Sequence, residues 1–81
     1  MEARSPRHAA FGSAIRDLRK ERGVSQESLA LEAKIDRAYV GGVERGERNV
    51  SLANIFRLAD ALGVKPSEIH ARAEDSIAKR T

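Results

Sequence analysis

Start and stop signals for helices cut this chain into pieces that fit only a small helical domain. Gly23, Gly46 and Gly63 stand where a helix ends, Gly23 and Gly63 as left-handed caps. Ser25, Asp36 and Ser51 stand where a side-chain oxygen can accept from the exposed amides of a first turn. Pro66 suits the first turn of a last helix. The resulting spans are about 9–22, 25–33, 37–45, 51–62 and 66–78. Apolar residues recur in them at helical spacing: Phe11, Ala14, Ile15 and Leu18 in the first, Leu29, Ala30 and Ala33 in the second, Leu52, Ile55, Leu58, Ala59 and Leu62 in the fourth. Leu31 falls off the second helix's inward face and is expected exposed. Lys34-Ile35 makes a turn in which a left-handed Lys34 would be less easy than a glycine, and Ile35 plugs the corner between two helices. No run alternates like a strand, and there are no repeats or low-complexity segments. The expected fold is all-α, a compact five-helix domain over 9–79, preceded by a flexible basic arm over 1–8.

A chain of 81 residues makes one small domain, and with only two Phe, one Tyr and no Trp its core has to be built from Leu, Ile, Val and Ala. Cysteine is absent, so neither a disulfide framework nor a thiolate metal site is possible, which suits a reducing cytoplasm. No stretch is apolar enough to span a bilayer, and the N-terminus lacks a signal-peptide core. His8 and His70 are isolated from other ligand types and read as ordinary surface histidines, not a metal site. With no histidine pair, clustered carboxylates or phosphate-binding glycine loop, the chain is not expected to be an enzyme, to hold a cofactor or to offer a small-molecule pocket. The net charge of +3 leans towards a polyanionic partner. Acidic and basic residues are interleaved, so any basic patch has to come from the folded geometry.

The third helix carries that patch. Advancing about 100° per residue, Arg37, Ala38, Gly41, Gly42 and Arg45 fall on one side, Val40 and Val43 on the other, and Tyr39 on a flank. Core packing does not account for a face of arginines and bare glycines, because it buries nothing useful. Two adjacent glycines also weaken a helix by about 1 kcal/mol each relative to alanine. A glycine surface does let a helix axis approach a flat or concave partner closely, as the floor of a DNA major groove is, with arginines reaching guanine edges or phosphates.

From about Phe11 to Ile69 the chain resembles the Xre/Cro-type helix-turn-helix repressors, with a lambda-repressor-like DNA-binding domain. The matching residues are Arg19, Ser25-Gln26, Ala30, Ile35-Asp36, Val40, Val43-Glu44-Arg45-Gly46, Asn49-Val50-Ser51-Leu52 and Leu58-Ala59-Ala61-Leu62-Gly63-Val64. A narrower run, Asp36-Arg37-x-Tyr39-x-x-Gly42-x-Glu44-Arg45-x-x-Arg48-Asn49, is similar to restriction–modification controller proteins. The resemblance implies a phosphate-clamping role for Gln26, base reading for Arg37, a flanking contact for Tyr39, and a groove or phosphate contact for Arg48. It also implies an Arg19–Glu44 pair tying the first helix to the third. Asn49 joins the expected DNA-binding set. Ala38, Gly41 and Gly42 stand where many relatives carry polar readers, so the expectation is thin direct readout, with specificity from DNA shape and with Ala38 able to touch a thymine methyl.

A single unit of this kind covers few base pairs, so the expected mode is a homodimer on a palindromic stretch of double-stranded DNA, acting as an autoregulatory transcriptional regulator. Phe56, Ile69, Ala73 and Ile77 are the candidate seam residues, with Ile69 leaning towards the monomer's own core. Arg4 and Arg7 could reach an adjacent minor groove, though plain disorder is the stronger reading. An alternative of a different class is an antitoxin-type interaction protein that binds another chain through Leu31, Phe56 and Ile77.

Overall fold

The computed structural model describes residues 5–79. Five helices follow in order: α1 Pro6–Arg22, α2 Gln26–Ala33, α3 Arg37–Glu44, α4 Leu52–Leu62 and α5 Pro66–Lys79. Helix α1 lies against both α5 and α3, while α2 packs on α3 and α4. Ile15, Leu29, Val40, Val43, Leu58 and Ile69 are the largest fully buried side chains, and alanines fill the spaces between them. Phe11 and Tyr39 are half-buried against the rim of this core.

Serine caps three of the helices. Ser25 Oγ accepts from the Ser28 amide at 3.0 Å, and Ser51 Oγ accepts from the Asn54 amide at 3.2 Å. Ser5 does the same for the His8 amide at 3.2 Å, with Pro6 opening the helix behind it. Helix α1 therefore begins a turn earlier than the expected start at Ala9. Ser5 to His8 of the expected flexible arm are cap and first turn, while residues 1–4, Arg4 among them, lie outside the described residues. Asp36 stands at the α3 N-cap position without the expected side-chain hydrogen bond; its backbone carbonyl accepts from the Val40 amide at 3.1 Å.

The turn between α2 and α3 is carried by Lys34, the one non-glycine residue with positive φ among those described (φ 60°, ψ 43°). Its amide closes on the Ala30 and Leu31 carbonyls, and Ile35 packs half-buried on the core beyond it. A left-handed backbone costs an ordinary L-residue roughly 1–2 kcal/mol, and the packing of Ile35 holds Lys34 there.

Gly12 has a larger role than weakening the start of a helix. A Cβ on it would run into the Val43 carbonyl oxygen and come within 2.8 Å of the Glu44 carbonyl oxygen. The bare backbone at this position sets how closely α1 crosses the end of α3. Leu52 departs from its expected place in the α4 core stripe: it is 68% exposed. It stands at the first position of its helix, before the chain has turned inward, and Leu58, Ala59, Ala61 and Leu62 supply that helix's buried face.

Candidate nucleic-acid interface

The crossing of α1, α2 and α3 is organised around one buried carboxylate. Glu44 is the only charged residue buried among those described. It accepts from Arg19 Nε at 2.7 Å, from Arg19 Nη2 at 3.1 Å and from Gln26 Nε2 at 2.9 Å. Arg16 Nε stands 3.6 Å away. Arg19 also donates to the Val24 carbonyl at 2.9 Å, which ties the link before α2 into the same network. Burial alone would push the Glu44 carboxyl up. The hydrogen bonds from Arg19 and Gln26, with the charges of Arg19 and Arg16, outweigh burial and hold it below the ordinary carboxylate value. The bond to Glu44 in turn raises the Arg19 guanidinium above its ordinary value. Gln26, expected as a phosphate clamp, thus has one amide hydrogen committed to Glu44, which fixes its side chain at the N-terminus of α2.

On the outer side of α3, Arg37 and Ala38 are exposed. Gly41 and Gly42, by contrast, are buried. The expected bare surface is covered by the protein's own arginines. A Cβ on Gly41 would lie 3.1 Å from Arg45 Nη1 and 3.7 Å from Gln26 Oε1. A Cβ on Gly42 would lie 3.0 Å from Arg48 Nε and 3.1 Å from its Cγ. The two glycines are beds for two guanidinium-bearing side chains. Arg48 also lies over the Tyr39 ring, 5.4 Å from its centroid, a cation–π contact that holds both residues on one flank. Asn49 is exposed in the following loop. Tyr39, Arg45 and Arg48 are thereby brought to one surface beside Gln26, and Arg37 is exposed at the start of the same helix.

Two further features have little signal in the sequence. Arg45 is held by a carboxylate only two residues on: Nε donates to Glu47 Oε2 at 3.1 Å and Nη2 to Glu47 Oε1 at 3.3 Å. A pair so close in the chain forms no helical i,i+4 pattern, and the turn at Gly46 is what folds Glu47 back. A second pair, Arg72 with Glu21 at 2.5 and 2.8 Å, joins α5 to α1 on the surface.

The candidate seam divides. Ile69 is fully buried and Ala73 is 7% exposed, both within the monomer's own core, because α5 lies along α1. They are not available to a partner. Ile77 is half-buried at the edge of that core, and Phe56 is 49% exposed. With Leu52 one turn before it, Phe56 makes an apolar ridge on the outer face of α4. His70 is exposed, as expected, and His8 is half-buried; among the described residues neither joins a group of metal-ligand type, but each has a neighbour. His8 Nδ1 lies 2.6 Å from the Ser5 hydroxyl, and the His70 ring packs on Phe11 with centroids 5.5 Å apart. Both line an open groove of about 640 Å³ floored by Phe11, Val50, Ile55 and Ile77 and reached by Arg7 and Arg48, where no pocket was expected.

The helix-turn-helix family model matches residues 15–69, which run from the middle of α1 to the first turn of α5 and include every residue of the α2–α3 surface. The chain is 45% identical over 60 residues to control protein C.BamHI of Bacillus amyloliquefaciens, covering 73% of this chain and 74% of that one. It is 42% identical to control protein C.MunI of a Mycoplasma species, covering 79% and 88%. The crystal structure of the restriction–modification controller protein C.AhdI from Aeromonas hydrophila superposes with a TM-score of 0.76 at 55% identity, covering 76% of this chain and 94% of that one. The chain belongs to the helix-turn-helix family of DNA-binding transcriptional regulators, and its relatives include the control proteins of restriction–modification systems. This is a family of regulators and not of enzymes. Among the described residues no helix is long and apolar enough to cross a membrane.

Proposed function

We propose that this chain is a controller-type regulator that binds a palindromic operator as a homodimer in the cytoplasm and regulates its own promoter. The observation that carries the reading is the outer surface of α3. Arg37, Arg45 and Arg48 stand there together, with none of them needed for the core and two laid over glycines that leave the helix backbone close to whatever docks. Arg37 reads a base edge at the start of the recognition helix, and Ala38 offers a methyl to a thymine. Tyr39, Arg48 and Asn49 contact the flank of the groove. Gln26 and the exposed amides at the α2 N-terminus take a phosphate. Two copies related by a two-fold axis, seamed through Leu52 and Phe56 and with Ile77 on α5 as a further seam residue, place two such surfaces on half-sites about 34 Å apart.

The test is a duplex selected from a random pool by the wild-type protein and then titrated with Arg37→Ala. The substitution should weaken binding by about 1–3 kcal/mol and relax base preference at one position in each half-site. Unchanged affinity and unchanged preference would remove Arg37 from the reading face and with it this docking geometry.

A further inference from the structure

We propose that Glu47 determines specificity by governing which edge of Arg45 can meet DNA. This rests on the reading of Arg45 as a DNA contact. A guanidinium has five N–H donors arranged along its side and end. In Arg45 the side formed by Nε and Nη2 is taken by the Glu47 carboxylate, at 3.1 and 3.3 Å. The remaining nitrogen, Nη1, lies over Gly41, 3.1 Å from where a Cβ would stand. The guanidinium is thus held over the recognition helix at Gly41, with its end edge left for a donor contact. Glycine at position 41 makes that possible, since a Cβ would press on Nη1 at 3.1 Å.

The pinned geometry discriminates between two kinds of partner. An acceptor on the groove floor can be met from above Gly41 while the carboxylate keeps its side of the guanidinium. A phosphate on the groove wall, reached by swinging the side chain outward, has to replace Glu47 at the bidentate edge. It also has to approach a carboxylate at the margin of the surface. Arg45 has the exposure to make that swing, its side chain being 57% accessible, whereas Glu47 is held at 29%. Glu47 therefore suppresses the sequence-independent use of Arg45, which is the use every duplex offers, and leaves its sequence-dependent use in place. It is a positioning residue acting through Arg45, and it accounts for a glutamate on a surface otherwise suited to a polyanion.

The experiment is a double-mutant cycle on the full chain with Glu47→Gln, Arg45→Ala and the pair. Fluorescence anisotropy would be read across a salt series on two probes: the duplex selected by the wild-type protein and a scrambled duplex of the same length. An exposed ion pair of this kind changes an equilibrium by about two- to fivefold. Glu47→Gln should tighten binding to the scrambled duplex by about that factor. Its salt slope should steepen by up to about 0.9, the value for one added phosphate contact. The selected duplex should gain less, so the specificity ratio falls. In the Arg45→Ala background, Glu47→Gln should change neither probe's ratio. An equal gain with and without Arg45 would overturn the proposal, since Glu47 would then act only as a repelling charge. An equal gain on both probes with Arg45 present would also overturn it. Arg45→Ala alone separates the two readings: if it leaves both probes unaffected, Arg45 is not a DNA contact and the underlying docking geometry fails, independently of what Glu47 does.

Discussion

At the residue scale the fold and the interface share one atom group, the Glu44 carboxylate. Its partners come from α1 and α2, so a single side chain fixes the angle at which α3 is presented. Removing its charge leaves Arg19, largely shielded from water, without its counter-ion, and breaking a buried pair of this kind costs about 3 kcal/mol. The Glu44 carboxyl is held below its ordinary value in the folded state. A depressed carboxyl contributes stability that is present above the unfolded value of about 4.3 and lost as pH falls through the lower folded value. The stability gap between wild type and Glu44→Gln, followed by urea unfolding, should thus be constant near neutrality and shrink below about pH 4.3. A gap that stays constant to pH 3 would mean that the carboxylate is not what Arg19 depends on. The glycines under the arginines make a second residue-scale case. Alanine at position 42 should gain up to about 1 kcal/mol of helix propensity, while pushing Arg48 from its bed at 3.0–3.1 Å. Gly42→Ala should therefore melt no lower than wild type and bind the selected duplex more weakly. A loss of stability without a loss of binding would reverse the assignment of that glycine.

At the element scale, helix ends were far more legible in the sequence than helix contacts. Ser25, Ser51, Gly23 and Gly63 act locally, through one hydrogen bond or one backbone angle, so their effect can be read from one position and its neighbours. Lys34 was legible for the same reason, as a turn residue in the left-handed region. On α3 the spacing puts the arginines on the outer side, where they are exposed, but does not tell that Arg45 and Arg48 lie over the glycines, because periodicity says which residues share a side and not where a long side chain folds back. Leu52 and the start of α1 show the same boundary: an apolar residue at a helix's first turn need not reach the core, and Pro6 with Ser5 could open a helix in a segment poor in apolar residues. Gly12 is the clearest case of a contact invisible to local signals, since only the fold brings the Val43 and Glu44 carbonyls to it. Gly12→Ala should push α1 from α3 at a cost of about 1–3 kcal/mol, net of the gain in helix propensity. In a domain of this size that lowers the melting midpoint by at least about 4 °C. An unchanged or raised midpoint would show that the crossing tolerates a methyl group.

At the scale of the whole molecule, the decisive question is what covers the ridge on α4. Leu52 at 68% and Phe56 at 49% exposure lie one helical turn apart on a face left open among the described residues. The core is already closed by Ile69 and Ala73, which removes them from any seam and moves the proposed contact from the middle of α5 to α4. A two-fold seam through a ridge sets the ridge of one copy beside that of the other, so each aromatic contributes twice. Truncating a buried aromatic at an interface centre costs about 2 kcal/mol or more, roughly thirtyfold in the dimerisation constant. Phe56→Glu should therefore leave the far-ultraviolet circular dichroism and the monomer fold intact, because the side chain packs no core. It should shift sedimentation towards monomer, and binding of the selected duplex should become weaker and lose its two-site cooperativity. Leu31→Glu serves as the control: Leu31 is 81% exposed, but on α2, so the same added charge should leave the oligomer unchanged. If Phe56→Glu sediments as wild type does, the two-fold axis does not pass through α4. If Leu31→Glu dissociates the dimer instead, the seam runs through α2, and the spacing of the two recognition helices proposed above would have to be abandoned with it.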